Sequence, residues 1–79
     1  MNIDKIQEIV DEELECLFSV YSININKYKK GNLNYEINEN NNTVWFCLQL
    51  TNIDTYVKFI CSGYIKYDMI LTSKLFVEN

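Results

Sequence analysis

The chain contains no histidine, arginine, proline or alanine, and only two of its 79 residues are glycine. Because histidine is absent, there is no imidazole to act as a general base near neutral pH or as a metal ligand. With glycine limited to Gly31 and Gly63, the phosphate-binding patterns GxGxxG and GxxxxGK are also absent. The sequence therefore predicts a protein that is not an enzyme and that has no cofactor.

The three cysteines, Cys16, Cys47 and Cys61, lie far apart in the sequence. An odd number of widely spaced cysteines provides neither a closed disulfide framework nor the paired ligand spacing of a zinc site. We therefore expect reduced thiols and no bound metal.

Long hydrophobic runs are missing as well. No apolar segment approaches the ~20 residues that a membrane-spanning helix requires. The N-terminal segment is acidic and polar, whereas a secretory signal begins with basic residues and continues with apolar ones. These features predict a soluble cytoplasmic protein with no membrane contact.

The residues that are present are typical of a folded domain, since 48% are hydrophobic and 14% are aromatic. The length predicts one domain over residues 1–79, near the size at which a single core supplies only ~3–5 kcal/mol of stability. A homodimer is therefore an open alternative. The abundance of asparagine, isoleucine and lysine is typical of AT-rich genomes, such as those of low-GC bacteria, their phages or large DNA viruses.

Apolar residues recur at spacings of three and four over residues 3–18, with acidic residues between them, which predicts an amphipathic helix. Asn2 is a suitable N-cap for this helix. The apolar stripe consists of Ile3, Ile6, Ile9, Val10, Leu14, Leu17 and Phe18.

After the helix the apolar period changes to two, which favours β-strands. Tyr21, Ile23 and Ile25 predict a first strand, which ends in a hairpin turn in KYKKGN. Gly31 and Asn32 in that segment tolerate the positive φ angles of a tight turn. The segments LNYEI and TVWFCLQL predict the next two strands, with a turn in the asparagine-rich ENNNT between them.

The C-terminal third is rich in β-branched and aromatic residues. It predicts two strands, at 56–61 and 64–71, with a turn at the Ser-Gly dipeptide between them. Residues 74–77 extend the last strand or form a short one of their own. A C-terminal helix capped by Asp54 is an open alternative.

These elements predict an α+β fold in which the N-terminal amphipathic helix packs on one face of a four- to five-stranded antiparallel β-sheet. The residues assigned to the helix-covered face are Tyr21, Ile23, Ile25, Leu33, Tyr35, Ile37, Val44, Phe46, Leu48, Leu50, Val57, Phe59, Cys61, Ile65, Tyr67, Met69 and Leu71. The residues assigned to the other face are Ser22, Asn24, Asn26, Tyr28, Asn34, Glu36, Asn38, Trp45, Cys47, Gln49, Tyr56, Lys58, Ile60, Tyr64, Lys66, Asp68 and Ile70. One short helix cannot cover both faces, so we expect Trp45, the only tryptophan, to point toward solvent or a partner.

An apolar and aromatic patch is predicted on the face away from the helix, and such patches mark binding surfaces. The partner-binding residues assigned to this face are Trp45, Tyr56, Lys58, Ile60, Tyr64 and Lys66, with Ile70 beside them. Lysines between aromatic rings also suit a single-stranded nucleic acid. The net charge of −4 and the absence of arginine disfavour that interpretation.

Acidic residues are concentrated in the predicted helix. Up to Phe18 there are six acids and one lysine, a net charge of −5, whereas the rest of the chain has six lysines and five acids, a net charge of +1. The acids are interpreted either as a solvated surface or as a docking surface for a basic partner, such as a nucleic-acid enzyme. The docking residues assigned are Glu8, Asp11, Glu12 and Glu15.

The sequence as a whole predicts a small protein-binding module. We expect a phage or mobile-element inhibitor or antidote that docks on a host or defence protein through the acidic helix and the aromatic sheet face. Three alternatives stay open: a self-assembling homo-oligomer, a regulatory subunit of a larger complex, and a weak binder of single-stranded nucleic acid.

Overall fold

The computed structural model describes residues 2–78, which form one helix packed on one face of an antiparallel sheet. The elements along the chain are helix α1 (Ile3–Val20), a short 3-10 helix (Ile25–Lys27), and strands β1 (Tyr28–Asn38), β2 (Thr43–Asn52), β3 (Lys58–Lys66) and β4 (Met69–Val77). Strands adjacent in the chain are adjacent in the sheet, in the order β1-β2-β3-β4. The predicted α+β fold is confirmed, with four strands.

Helix α1 forms where the sequence has a helical period, and it ends at Val20, slightly beyond the predicted end. At its start the Asn2 side-chain oxygen accepts a hydrogen bond from the Lys5 backbone N–H at 2.9 Å. This bond satisfies one of the free donors of the first helical turn. The residues that α1 buries are Ile6, Ile9, Val10, Leu14 and Phe18.

The predicted first strand, over residues 21–26, is wrong because this segment terminates α1. The Ile23 N–H donates to the Phe18 carbonyl at 2.8 Å. The Ser22 N–H donates to the Ser19 carbonyl at 3.1 Å, and Ser22 has a φ of 56°. A left-handed residue with this pair of bonds is a Schellman motif, a common helix terminator. The alternating isoleucines still pack on the core, from the helix end and the 3-10 helix.

The predicted hairpin turn at Gly31 and Asn32 is also wrong, since both residues lie inside β1. The pairing of β1 with β2 shifts register between Lys30 and Leu33. Such a shift is a β-bulge, in which β1 has one residue more than β2 between the paired positions.

Tyr28 anchors the start of β1. Its ring lies edge-on to Phe18 of α1, with 5.2 Å between the centroids, and 5.3 Å from the ring of Phe59 in β3. The face assigned to Tyr28 from the sequence is therefore wrong, because the side chain is on the helix side of the sheet. The same register directs Lys30 toward α1, where its Nζ lies 3.0 Å from Asp11 Oδ1.

The asparagine-rich turn between β1 and β2 is confirmed. Asn42 has a φ of 57°, a left-handed angle that asparagine adopts more readily than most residues. Asn38 Oδ1 accepts a hydrogen bond from the Asn40 N–H at 3.1 Å. Asn41 Oδ1 accepts one from the Thr43 N–H at 3.2 Å. These local bonds reverse the chain without glycine.

The segment between β2 and β3 is a loop, so the alternative of a C-terminal helix is wrong. The Asn52 side chain accepts hydrogen bonds from the N–H groups of Asp54 and Thr55 at 2.9 and 3.0 Å. Asp54 caps no helix, and its carboxylate pairs instead with Lys27 Nζ at 3.2 Å.

The predicted turn at Ser62 and Gly63 is wrong, because both residues lie within β3. Glycine is needed there for a different reason. A Cβ on Gly63 would overlap the carbonyl oxygen of Thr72 and would lie 2.9 Å from the Cα of Ser73. The close approach of β4 therefore excludes a side chain at this position.

The chain reverses between β3 and β4 at Tyr67 and Asp68, which have φ angles of 52° and 62°. Two consecutive positive φ angles are typical of a type I′ turn, which usually contains Asn-Gly. Such a turn places its flanking residues, Lys66 and Met69, opposite each other on one face. The predicted faces in β4 are therefore reversed, with Met69 on the side away from α1 and Ile70 on the helix side.

The core lies between α1 and the two central strands. The sheet residues that are buried in it are Val44, Phe46, Leu48, Leu50, Cys61 and Ile65. A fully buried side chain of this size contributes ~1.5–3 kcal/mol relative to an exposed one. Most of these residues belong to β2, so this strand supplies the largest share of the sheet's buried side chains.

The close approach of β4 to Gly63 can be tested by substitution. Gly63→Ala is expected to destabilise the protein by ~1–3 kcal/mol, because the new methyl group displaces the backbone of β4. Gly31→Ala is the matched control, since its Cβ would meet the Gln49 carbonyl oxygen at 3.1 Å and needs a much smaller shift. Urea denaturation measures both variants. A free energy of unfolding equal to wild type in Gly63→Ala would contradict the packing described.

Candidate functional site

The sheet face away from α1, which we call the outer face, carries the tryptophan. Trp45 of β2 lies directly opposite Tyr64 of β3, and Ile60 of β3 lies opposite Phe76 of β4. Residues opposite each other in antiparallel strands share a face. Trp45, Ile60, Tyr64 and Phe76 therefore lie on one face as two pairs, and we call these four residues the outer patch. The row formed by Cys47, Ser62 and Lys74 lies between the two pairs.

The outer patch is open to solvent. Trp45 is 36% exposed, Tyr64 is 45% exposed and Phe76 is 41% exposed. Within residues 2–78 no second layer covers these side chains, because α1 packs on the other side of the sheet. Burial of such exposed aromatic side chains against a partner, which excludes water from them, stabilises the complex. The structure thus places Trp45 away from α1, as the sequence predicted.

Two shallow hollows flank Trp45 and Tyr64. One, of about 550 Å³, extends toward β1 and is bounded by Glu36. The other, of about 320 Å³, extends toward β4 and is bounded by Thr72 and Lys74. Hollows of this size accept protruding side chains of a partner, which gives the outer patch a shape suited to a complementary interface.

Lysines surround the outer patch. Lys58, Lys66 and Lys74 share the outer face with it. The Nζ of Lys74 lies 5.1 Å from the centroid of the Phe76 ring, a cation–π distance. Two negative charges are also present. Glu36 lies on the β1 side, and the Glu78 carboxylate accepts a hydrogen bond from Gln49, beside Ile60, at 2.7 Å. The surroundings of the outer patch are therefore more basic than the net charge of the chain.

Most of the sheet residues assigned from the sequence lie on the outer face, but Tyr56 and Ile70 do not. Tyr56 belongs to the loop between β2 and β3 and has a φ of 61°. Ile70 lies on the helix side, opposite Ile65, so its assignment to the patch is wrong. A register shift beside this pair puts Ile70 out of phase with Lys74 and Phe76, which are on the outer face of the same strand. Sequence reasoning missed Lys74 and Phe76 because it ended the main strand at residue 71. Their alternation is the signal that would have found them.

The acids assigned to docking lie along α1, and we call them the acidic stripe: Glu8, Asp11, Glu12 and Glu15. All of them are exposed, and spacings of three and four residues place them on one side of the helix. Asp11 pairs with Lys30 at 3.0 Å, and Glu8 lies 4.0 Å from Lys5. Exposed pairs of this kind contribute only ~0–1 kcal/mol to stability. The acidic stripe is therefore a solvated surface that a partner can reach.

The outer patch and the acidic stripe lie on opposite sides of the molecule. Helix α1 buries one side against the sheet and presents the acidic stripe on the other, while the outer patch is on the far face of the sheet. The thickness of a helix and a sheet separates the two surfaces. A flat partner surface therefore contacts one of them at a time, and only a partner that wraps around the domain contacts both.

Cys61 is buried on the helix side of the sheet. Burial, together with the smaller effects of the negative charges of Glu13 and Cys47, raises the pKa of its thiol from 9.0 to about 11. Glu13 is held nearby because its carboxylate accepts a hydrogen bond from the Ser73 hydroxyl. Nucleophilic and redox chemistry require a thiolate, which this environment disfavours.

Cysteine reactivity should follow these environments. In the folded protein, iodoacetamide is expected to alkylate the exposed Cys16 and to spare Cys61 until the pH approaches about 11. Because the folded-state pKa of Cys61 lies above 9.0, its protonated thiol adds stability below that pH, and this contribution is lost as the pH rises toward about 11. Mass spectrometry of labelled peptides measures the order in which the cysteines are alkylated. Equal labelling rates at Cys16 and Cys61 would contradict the burial of Cys61.

Within residues 2–78, no group of three or more cysteine, aspartate, glutamate or histidine side chains is arranged to hold a metal ion. No helix in this part of the chain is long and apolar enough to cross a membrane. Comparison with known proteins finds no family model, no curated protein and no solved structure that matches the chain.

Proposed function

We propose that the protein is a non-catalytic binding module that holds another protein on its outer patch. The observation that carries the proposal is the open pair of Trp45 and Tyr64 on an uncovered face of the sheet. Tryptophan and tyrosine are enriched at the energetic centres of interfaces, because they bury a large area with few rotatable bonds. The hollows beside this pair provide places for side chains of the partner.

The proposed mode of action is steric blocking of a surface on the partner. A small domain that covers a functional surface of a host or defence protein blocks that surface, and this is the action of an inhibitor or antidote. The exposure of the outer patch supports it, because no rearrangement is needed before contact. The acidic stripe, on the far side, adds long-range attraction toward a basic partner such as a nucleic-acid enzyme.

A second candidate function is weak binding of single-stranded nucleic acid, and the position of Lys66 and Lys74 beside the aromatic rings favours it. Aromatic rings on a sheet stack bases while lysines contact phosphates. We prefer a protein partner because the chain has a net charge of −4 and no arginine. In addition, Glu36 borders the hollow beside Trp45, where it would repel a phosphate.

The outer patch can be tested by partner capture from a lysate of the cells that produce the protein. Trp45→Ala combined with Tyr64→Ala is expected to reduce capture of the partner at least about tenfold, because truncation of central interface aromatics costs ~2 kcal/mol or more. Tyr21→Ala is the matched control, since Tyr21 is exposed at the end of α1 and lies outside the sheet. Quantitative mass spectrometry compares the captured proteins.

A partner that the double variant retains at the wild-type level would contradict the proposal. A dimer that light scattering detects in the wild type and not in the double variant would favour the self-assembling homo-oligomer. Salt-dependent binding to single-stranded DNA that the double variant loses would favour the nucleic-acid candidate.

A further inference from the structure

Helix α1 is too narrow to cover the sheet even on its own side. Four strands spaced ~4.8 Å apart make a sheet roughly 19 Å wide, whereas a helix with its side chains measures ~10 Å across. The backbone of α1 comes closest to β4, which is the edge strand farthest from β1. The helix side of β1 is consequently left open toward the C-terminal end of the strand, whereas Tyr28 and Lys30 at its start still contact α1.

The exposure of neighbouring residues locates this opening. Tyr35 of β1 lies opposite Phe46, and Ile37 lies opposite Val44. Phe46 is 0% exposed and Val44 is 2% exposed, whereas Tyr35 is 42% exposed and Ile37 is 44% exposed. On the same face of the sheet, these side chains of β2 are therefore buried in the core, whereas their neighbours in β1 are exposed to solvent.

The open strip on β1 is the floor of a groove beside α1, which we call the β1 groove. At one end, a hollow of about 280 Å³ lies between Val10 of α1 and Leu33 of β1. At the other end, a hollow of about 660 Å³ lies between the β1–β2 turn and the β3–β4 turn. Ile37 and Tyr67 line it, and its lining includes no residue of α1. From Leu33 to Asn38, β1 extends roughly 17 Å, which is about the length of three helical turns.

The rim of the β1 groove is acidic. Asp11 lines the first hollow, while Glu39 and Asp68 line the second. Asp4 precedes Asp11 by two helical turns and lies on the same side of α1. Among the described residues that line either hollow, Lys30 is the one cation, and it already pairs with Asp11 at 3.0 Å. An apolar floor with an acidic rim suits a ligand that is apolar in the middle and basic at its sides.

We infer that the β1 groove binds an amphipathic helix of another protein, one whose apolar stripe is flanked by lysine or arginine. The apolar stripe covers Tyr35 and Ile37, and the basic flanks pair with the acidic rim. A helix is preferred over an added strand because Tyr35 and Ile37 are exposed on the face of the sheet, and a strand that paired with the edge of β1 would not cover them. The inference is independent of the outer patch, which lies on the other face of the sheet.

A second copy of the chain suits the β1 groove poorly. Among residues 2–78 the one long helix is α1, whose exposed side carries the acidic stripe, so docking it in the groove would bring like charges together. The lysines of a second copy are concentrated on the outer face of its sheet. A sheet roughly 19 Å wide does not enter a groove made for one helix.

The floor of the groove is tested with a synthetic helical peptide of about five turns, which has a leucine stripe at helical spacing and lysine on both flanks. Fluorescence anisotropy of the labelled peptide measures its binding to the full chain. Tyr35→Ser combined with Ile37→Ser is expected to weaken binding about tenfold or more, because the apolar floor is lost. Tyr21→Ser is the matched control and is expected to bind as wild type does.

The rim is tested with a variant that removes charge and keeps side-chain size: Asp4→Asn, Glu39→Gln and Asp68→Asn together. This variant is expected to bind the peptide more weakly and with a smaller dependence on salt, because fewer ion pairs form. A peptide with glutamate in place of lysine is expected to lose binding. A peptide with prolines at its centre, which cannot form a continuous helix, is expected to lose it as well.

Peptide binding that is unchanged in Tyr35→Ser with Ile37→Ser would overturn the inference. Equal binding of the proline-containing peptide would also overturn it, in favour of an extended occupant. A wild-type dimer that dissociates in the same double variant would overturn it in favour of a second copy. Circular dichroism checks that each variant remains folded, which is expected because both substituted side chains are exposed.

Discussion

The packing of α1 against β2 is the contact on which the rest of the structure depends. The alternate residues Val44, Phe46, Leu48 and Leu50 are all buried beneath the helix, and this one strand supplies most of the core of the sheet. One helix is sufficient for the central strands but not for four strands. Because one helix covers only part of the sheet, part of the helix side of β1 and the whole outer face are exposed. The functional proposals concern these two surfaces.

The parts of the fold that follow from local chemistry were predictable. The helical period up to Phe18, the alternation in TVWFCLQL and the asparagine-rich turn each depend on residues a few positions apart, and all three predictions are confirmed. The outward position of Trp45 follows from the same alternation. Local periodicity therefore gave the fold class and the centre of the candidate site.

The turns were not predictable, because the relevant signals act over long distances. Gly31 lies at a bulge, and Gly63 lies where β4 approaches β3, so both glycines have roles unrelated to chain reversal. The true turn at Tyr67 and Asp68 has two positive φ angles, and tyrosine rarely adopts such an angle. Because the chain reverses at Tyr67 and Asp68 and not at Ser62 and Gly63, Met69 and Ile70 face the sides opposite to those predicted. Ile70 is therefore not part of the outer patch. The exposed residues on the helix side of β1 were not predictable either, because the apolar periodicity of a sequence does not indicate how much of a sheet a helix covers.

The two proposed surfaces differ in position and in charge: aromatic rings among lysines on the outer face, and an apolar floor with an acidic rim beside α1. Both require that the sheet is covered only in part. Acrylamide quenching of tryptophan fluorescence in the isolated monomer tests this most directly, because Trp45 is the only tryptophan and reports on the outer face alone. The account predicts long-wavelength emission and efficient quenching in the folded protein. Short-wavelength emission that resists the quencher in a monomer would contradict it.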